Sequence, residues 1–102
     1  MLVLRRYEPS DYQAVWALHQ LASHVAGVPT PEAYFSDLHQ IESTFFKRGG
    51  EFIVGECAGH LVAMGGLKRT SADRAEITRM RVHPAYQRRG FGTAVLRRTS
   101  GR

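Results

Sequence analysis

A glycine-containing segment between a predicted strand and a predicted helix constrains this chain more than any other feature. It reads Gln87-Arg88-Arg89-Gly90-Phe91-Gly92, directly after an alternating apolar run and directly before a helical pattern. Glycine allows the backbone to turn tightly and to approach a ligand closely. The first N–H groups of the following helix have no partner within the helix, and they lie at the positive end of its dipole. The segment therefore predicts a binding site for a phosphate or pyrophosphate.

Three known phosphate-binding patterns can be compared with this segment. The P-loop needs Gly, four spacers and then Gly-Lys-Ser/Thr, a string that the sequence lacks. The dinucleotide fingerprint G-x-G-x-x-G would begin at Gly90, but Val95 stands where its third Gly belongs, and no acidic residue follows before Arg102. The remaining pattern, Q/R-x-x-G-x-G/A, fits at Gln87, Gly90 and Gly92.

The last pattern resembles the acetyl-CoA loop of the GNAT superfamily of N-acetyltransferases. Residues 76–84 are similar to the family's fourth strand with its V-x-P exit, and two apolar strands joined by Ala58-Gly59 resemble its second and third strands. The resemblance covers nearly the whole chain. It implies an α/β fold (α+β, with a mixed sheet) in the order β1-α1-α2-β2-β3-β4-α3. Because the family's domain continues further, residues 1–102 are expected to form a single, C-terminally incomplete GNAT domain.

Hydrophobic periodicity and capping signals predict the first half of this order. Residues 2–7 suit a strand, and Ser10 with Gln13 forms a capping box that predicts the start of the first helix. A second helix is predicted to begin at Thr30-Pro31 and to end at Gly49-Gly50. The residues predicted to be buried recur at helical spacing, and they are Val15, Leu18, Ala22, Val25, Tyr34, Leu38, Ile41 and Phe45.

Three strands and a helix are predicted for the second half. The strands are expected over residues 52–57, 61–67 and 74–82, with Ala58-Gly59 as a tight turn between the first two. Gly65-Gly66 inside a strand predicts a bulge or a close backbone approach. The third helix is predicted to start near Gly90.

Length and composition indicate one small domain that binds an anion. The chain has 102 residues and a formal net charge of +5. Five arginines fall within the last fifteen residues, at positions 88, 89, 97, 98 and 102, which favours an anionic ligand. A single Cys57 excludes an internal disulfide and fits a reducing compartment, so a cytoplasmic protein is expected, with Cys57 as a buried thiol rather than a nucleophile. No secretory signal or membrane-spanning segment is predicted.

The resemblance implies acetyl-CoA (coenzyme A) as the cofactor and an amine of a small molecule or peptide as the acceptor. Backbone groups of Met80 and Val82 are expected to hold the pantetheine arm, with an N–H near Met80 polarising the thioester carbonyl. The N–H groups of residues 88–93 would face the pyrophosphate. The side chains of Arg88 and Arg89 either reach phosphate oxygens or form a solvated basic rim. The predicted cofactor-binding residues are Met80, Arg81, Val82, Gln87, Arg88, Arg89, Gly90, Phe91, Gly92 and Thr93.

Glu76 is the candidate general base. It lies eleven residues before Gln87, as the glutamate base does in family members that carry one on this strand. The alternative is a structural glutamate that pairs with a nearby cation, Lys68, Arg74 or Arg79. In the family, a tyrosine near a later helix commonly serves as the general acid. No residue of this sequence matches that tyrosine.

Several other assignments remain open at this stage. Trp16, Tyr34 and Phe35 are read as core residues or as part of the acceptor site. The five histidines show no metal-ligand spacing, so no metal site is predicted. The function alternative to an N-acetyltransferase is a non-catalytic acyl-CoA-binding or protein-interaction module of the same fold. Nucleic-acid binding is not favoured, because the basic residues lack interleaved aromatics. An open edge on the fourth strand predicts a homodimer. Little activity is expected of this chain on its own, because the general acid and much of the acceptor wall implied by the resemblance have no counterpart in it.

Overall fold

A computed structural model describes residues 1–25 and 38–99 of this chain. Its helices and strands are β1 (Leu2–Arg6), α1 (Tyr12–Val25), α2 (Ile41–Thr44), β2 (Glu51–Cys57), β3 (His60–Ser71), β4 (Arg74–Val82) and α3 (Phe91–Thr99). Short 3-10 turns cover Pro9–Asp11, Phe46–Arg48 and Pro84–Tyr86. This order confirms the expected α/β class. No helix in the described part is long and apolar enough to cross a membrane.

The four strands form one sheet in the order β1-β2-β3-β4, and each described pair is antiparallel. Ala58 and Gly59 both have positive φ, 54° and 82°, which gives the β2–β3 turn the twist that a two-residue hairpin favours. β3 continues beyond its predicted end to Ser71, because its polar residues pair with the start of β4, as Lys68 does with Glu76. Cys57, at the end of β2, is half-buried rather than buried as expected.

A bulge interrupts the pairing of β3 with β4. Between the pairs Met64–Arg81 and Gly66–Thr78, β4 contains one residue more than β3. Arg79, inside this bulge, has a left-handed φ of 57°. The irregularity expected at the two glycines of β3 is therefore confirmed, but the extra residue lies in β4.

The two neighbouring glycines of β3 allow helices to approach opposite faces of the sheet. A Cβ on Gly65 would collide with the sulfur of Met80 and would lie 2.8 Å from Cγ1 of Val95 in α3. A Cβ on Gly66 would lie 2.7 Å from Cε1 of Phe45, which follows α2. The expected close approach is thus present on both faces, with α3 on one and α2 on the other.

The main core lies on the face that α1 and α2 cover. Its buried members are Tyr7, Val15, Leu18, Leu38, Ile41, Phe45, Phe52, Val54 and Met64. The predicted burial of Val15, Leu18, Leu38, Ile41 and Phe45 is confirmed. Five predictions fall outside the described part of the chain: the burial of the Ala22 and Val25 side chains, the roles of Tyr34 and Phe35, and the helix start at Thr30-Pro31.

The predicted capping box at Ser10 is wrong. The chain begins to wind at Pro9, and the carboxylate of Asp11 reaches back to accept a hydrogen bond from the Glu8 N–H at 2.8 Å. The same carboxylate accepts two hydrogen bonds from Arg5, each 2.7 Å long. Asp11 therefore fixes the start of the helical segment and joins it to β1.

The predicted second helix is not continuous between residues 38 and 49. α2 ends at Thr44, and a separate 3-10 turn follows from Phe46. The carbonyl of Phe45 accepts from the Gly50 N–H at 2.7 Å instead of continuing an α-helical ladder. Gly49, with φ of 81°, then directs the chain into β2.

Candidate functional site

Local hydrogen bonds fix the path of the chain as it leaves β4. The His83 N–H donates to the carbonyl of Val62 in β3 at 2.7 Å. The His83 imidazole Nδ1 accepts from the Ala85 N–H at 3.0 Å, which closes the 3-10 turn. The Gln87 side chain donates through Nε2 to the carbonyl of Val82 at 3.4 Å. The first residue of the glycine pattern is therefore tied to the end of the strand.

Two left-handed residues then turn the chain into α3. Arg88 has φ of 65° and Gly90 has φ of 78°. The Ala94 N–H donates to the Gly90 carbonyl at 3.0 Å, which makes Gly90 the residue that caps α3. Since no carbonyl lies four residues before them in the helix, the N–H groups of residues 91–93 have no partner within α3. They are the donors that the sequence assigned to a phosphate.

A cleft of about 350 Å³ opens at this turn. Its lining residues are Val82, Tyr86, Gln87, Arg88, Gly90, Phe91, Gly92 and Thr93. Most of the predicted cofactor-binding residues are thus brought together, whereas Met80, Arg81 and Arg89 do not line this cleft. Gly90 has nothing within 4 Å of a would-be Cβ, so the space beside it is open.

Tyr86 is a cleft residue that sequence reasoning missed. Its ring stacks on Phe91, with centroids 6.1 Å apart, and the Arg89 guanidinium carbon lies 5.2 Å from its centroid. His83 meets the same ring edge-on at 5.5 Å. The ring therefore links the strand exit to the first residue of α3. Its signal in the sequence was an aromatic residue directly before the glycine pattern.

The bulge decides which way the residues of β4 face. Directly paired residues in a sheet share a face. Val82 pairs with Ala63 and lies 3.7 Å from a would-be Cβ on Gly92, on the α3 face. Arg81 pairs with Met64, a member of the core under α1 and α2. The Arg81 side chain therefore lies on the face opposite the glycine turn.

Arg81 is half-buried and its hydrogen bonding is limited. Its Nη1 donates to the carbonyl of Met80 at 2.8 Å. Burial, and then the positive charge of Arg79, hold the pKa of Arg81 below its ordinary value. Within residues 1–25 and 38–99, no carboxylate forms an ion pair with this guanidinium.

Glu76 shares the face of Arg81. It pairs with Lys68, two residues from the Thr78–Gly66 pair, and a Cβ on Gly66 would touch Phe45 on that face. Its side chain is exposed. The ion pair offered as its alternative role is not found in the described part of the chain. Its role as a base stays a prediction.

Other candidate residues do not line this cleft. Trp16 is partly buried against the core and stacks on His19, with centroids 5.5 Å apart. Among the described residues, no group of three or more His, Cys, Asp and Glu side chains is arranged to hold a metal ion.

Comparison with known proteins places this geometry among acetyltransferases. The sequence matches the profile of the Acetyltransferase (GNAT) family over residues 12–99. The fold is similar to that of a GNAT-family acetyltransferase from Staphylococcus aureus Mu50, with a TM-score of 0.90, 18% identity, and coverage of 97% of this chain and 63% of that chain. An acetyltransferase from Streptococcus agalactiae 2603 gives a TM-score of 0.88 at 20% identity, with the same coverages of 97% and 63%.

A third solved structure contains a bound cofactor. It is a GNAT-family acetyltransferase from Brucella melitensis in complex with acetyl-CoA, with a TM-score of 0.80, 15% identity, and coverage of 99% of this chain and 67% of that chain. No curated protein matches the sequence. The chain spans about 63% of the length of the first two solved structures.

Proposed function

Because the chain belongs to the acetyltransferase (GNAT) family, we propose that it binds acetyl-CoA and serves the transfer of the acetyl group to an amine. The cleft at the β4–α3 turn carries the proposal. It combines the open space beside Gly90, the first N–H groups of α3, which have no partner within the helix, and the neighbouring Arg88. The Brucella melitensis relative, which shares the fold, contains acetyl-CoA.

Each part of the cofactor has a matching group in this proposal. The N–H groups of residues 91–93, at the positive end of the α3 dipole, bind the pyrophosphate. Arg88 and Arg89 add charge-assisted hydrogen bonds to phosphate oxygens. The pantetheine arm lies along β4 and pairs with backbone groups of Met80 and Val82, as a peptide does when it extends a sheet.

The bulge supplies a reason for the chemistry to occur at Met80. A bulge redirects backbone groups away from the regular ladder, and the left-handed Arg79 lies immediately before Met80. The carbonyl of Met80 accepts a hydrogen bond from Arg81, and the N–H of Met80 is the donor that this proposal assigns to the thioester oxygen. A donor aimed at the thioester oxygen stabilises the negative charge that develops as the amine attacks.

Glu76 is the proposed base. The amine attacks the thioester carbon, its proton passes to Glu76 directly or through water, the C–S bond breaks, and the thiolate of coenzyme A leaves. Glu76 lies on the sheet face opposite the glycine turn. The base and the cofactor phosphates would therefore lie on different sides of β4. The acceptor amine would therefore enter from the α1 and α2 face.

A matched pair of glycine variants tests the cleft. Gly90 and Gly59 have nearly equal φ, 78° and 82°, and both have open space where a Cβ would stand. Gly90→Asp and Gly59→Asp therefore bear a similar backbone cost, but only the first places a carboxylate beside the proposed pyrophosphate. We expect calorimetry to show coenzyme A binding lost in Gly90→Asp and retained in Gly59→Asp. Equal affinity of the two variants would remove the phosphate-site assignment.

An acetylation assay separates the enzyme from a non-catalytic module. Binding of acetyl-CoA with release of coenzyme A only when an amine is added supports the transferase. Binding without turnover on any amine, in a preparation that includes the rest of the domain, would favour an acyl-CoA-binding module.

A further inference from the structure

We propose that the Arg81 side chain binds an anionic group of the acceptor, a carboxylate or a phosphate, so that the acetylated amine belongs to a molecule negatively charged close to its nitrogen. This inference rests on the proposed acetyl transfer and specifies its substrate class. It assigns the guanidinium to the acceptor, while the Arg81 backbone remains with the predicted cofactor set.

The bulge is the first support, because it reverses the alternation of β4. In an uninterrupted strand, residues 76, 78, 80 and 82 would share one face. The extra residue at Arg79 moves Met80 and Val82 to the α3 face and brings Arg81 to the face of Glu76. The cofactor phosphates at the glycine turn therefore lie across the sheet from Arg81 and are not its partner.

The pairing of arginines elsewhere in the chain is the second support. Arg5 binds both Asp11 and Glu56, and Arg6 binds Glu51 at 2.7 Å. Arg81 is half-buried, yet in the described part of the chain its bonding is limited to the carbonyl of Met80. A guanidinium has five N–H donors in a planar fork, so most of its donor capacity is available for a ligand. A desolvated cation without a counterion is costly, which favours anion binding.

Position relative to the reacting atoms is the third support. The guanidinium is one hydrogen bond from the carbonyl of Met80, and the Met80 backbone is the proposed neighbour of the thioester. Glu76, the proposed base, lies on the same face. An anion held by Arg81 would place an amine of the same small molecule between the base and the thioester carbon.

The proposal excludes one class of acceptor. The guanidinium of Arg81 itself places a positive charge on this face. A polycationic amine would be repelled here. An α-amino acid, an acidic peptide terminus or an aminophosphonate would be attracted.

The test is a titration of the chain with small amines that differ only in charge. Glycine, glycinamide and aminomethylphosphonate are titrated into wild type, Arg81→Gln and Arg74→Gln, each with and without saturating coenzyme A. Arg74 lies on the same strand and is exposed, so its variant removes the same charge away from the proposed site. Binding is followed by calorimetry and by the NMR signal of the arginine Nε–H groups.

We expect an anionic amine to bind wild type and Arg74→Gln on the order of tenfold or more tighter than glycinamide, as a charge-assisted hydrogen bond predicts. Arg81→Gln should lose that preference and bind glycine and glycinamide about equally. Comparison of glycine with aminomethylphosphonate tells a carboxylate site from a phosphate site.

Two results would overturn the proposal: equal binding of charged and neutral amines by wild type, or an anion preference that survives in Arg81→Gln. Failure of the wild-type chain to bind coenzyme A would instead refute the proposed function. The cofactor-free titrations would still decide the role of Arg81 in that case.

Discussion

A single carboxylate, Asp11, connects β1 to the first helical turn. It accepts two hydrogen bonds from Arg5 and one from the Glu8 N–H. The Arg5 guanidinium holds the pKa of Asp11 below its usual range, against the opposing effect of burial. Folding therefore favours the ionised form, and this contribution to stability is fully present above the unfolded pKa of about 3.9.

Asp11→Asn should lower the free energy of unfolding at pH 7 by about 2 kcal/mol, because charge-assisted hydrogen bonds are lost. The difference from wild type should shrink as the pH falls through the folded pKa of Asp11, where the native carboxylate is protonated too. Asp73→Asn, in the exposed β3–β4 turn, is the control and should change little. Urea unfolding of the three proteins between pH 7 and pH 2 measures this, and a constant difference at all pH values would contradict the account.

Glu76 provides a second residue-scale prediction. In a preparation that acetylates an amine, Glu76→Gln should reduce kcat by about 100-fold, the lower range for loss of a general base. Coenzyme A affinity should be unchanged, since the residue lies across the sheet from the glycine turn. Glu8→Gln, also exposed, is the matched control. If Glu76→Gln and Glu8→Gln have the same kcat, Glu76 is a solvated strand residue and not the base.

At the scale of elements, α3 packs closely on the sheet because Gly65 has no side chain. Gly65→Ala should lower the free energy of unfolding by about 2 kcal/mol, because its Cβ would overlap Met80 and crowd Val95. The double variant with Met80→Ala should recover part of that loss, so the two effects should not add. Gly92→Ala is the control, with its nearest neighbour at 3.7 Å. Additive losses in denaturant unfolding would show that Met80 and residue 65 do not compete for space.

The sequence predicted those elements whose signal is contained in their own residues. A continuous apolar run was enough for β2 and an alternating one for β4, and the Ala58-Gly59 turn followed from its residue types. The start of α1 was not predictable, because it depends on Asp11 meeting Arg5 of another element. The break after α2 similarly depends on the hydrogen bond from the Gly50 N–H to the Phe45 carbonyl, which replaces a continued α-helical ladder.

The site divides in the same way. The glycine turn was predictable because its contacts are consecutive in the chain. The face of Arg81 was not, because simple alternation places it opposite Glu76 and only the bulge reverses that. Nothing in the sequence marks the bulge residue, since Arg79 is not of a type that favours left-handed φ. The contacts of the Tyr86 ring with Arg89 and Phe91 could not be predicted either, because they depend on the path of the turn.

At the scale of the whole molecule, β4 has a strand on one side only within the described residues. An uncovered strand edge is a template for pairing with another chain. We predict that the 102-residue chain self-associates, most simply as a two-fold dimer along β4. Sedimentation at micromolar concentration, with hydrogen exchange of residues 74–82, provides the measurement. A monomer whose β4 amides are protected would contradict this prediction.

The predicted cofactor contacts fall within one uninterrupted stretch, residues 80–93, which joins the end of one element to the beginning of another. A short helix such as α3 has little stability of its own, and its buried residues are Val95 in its middle and Thr99 at its other end. A ligand bound at the turn would hold the free end as well. At a concentration of 100 times its Kd, such a ligand adds about 2.7 kcal/mol to global stability. The bound cofactor would thereby stabilise the N-terminal end of α3, and thermal unfolding would no longer begin at that end.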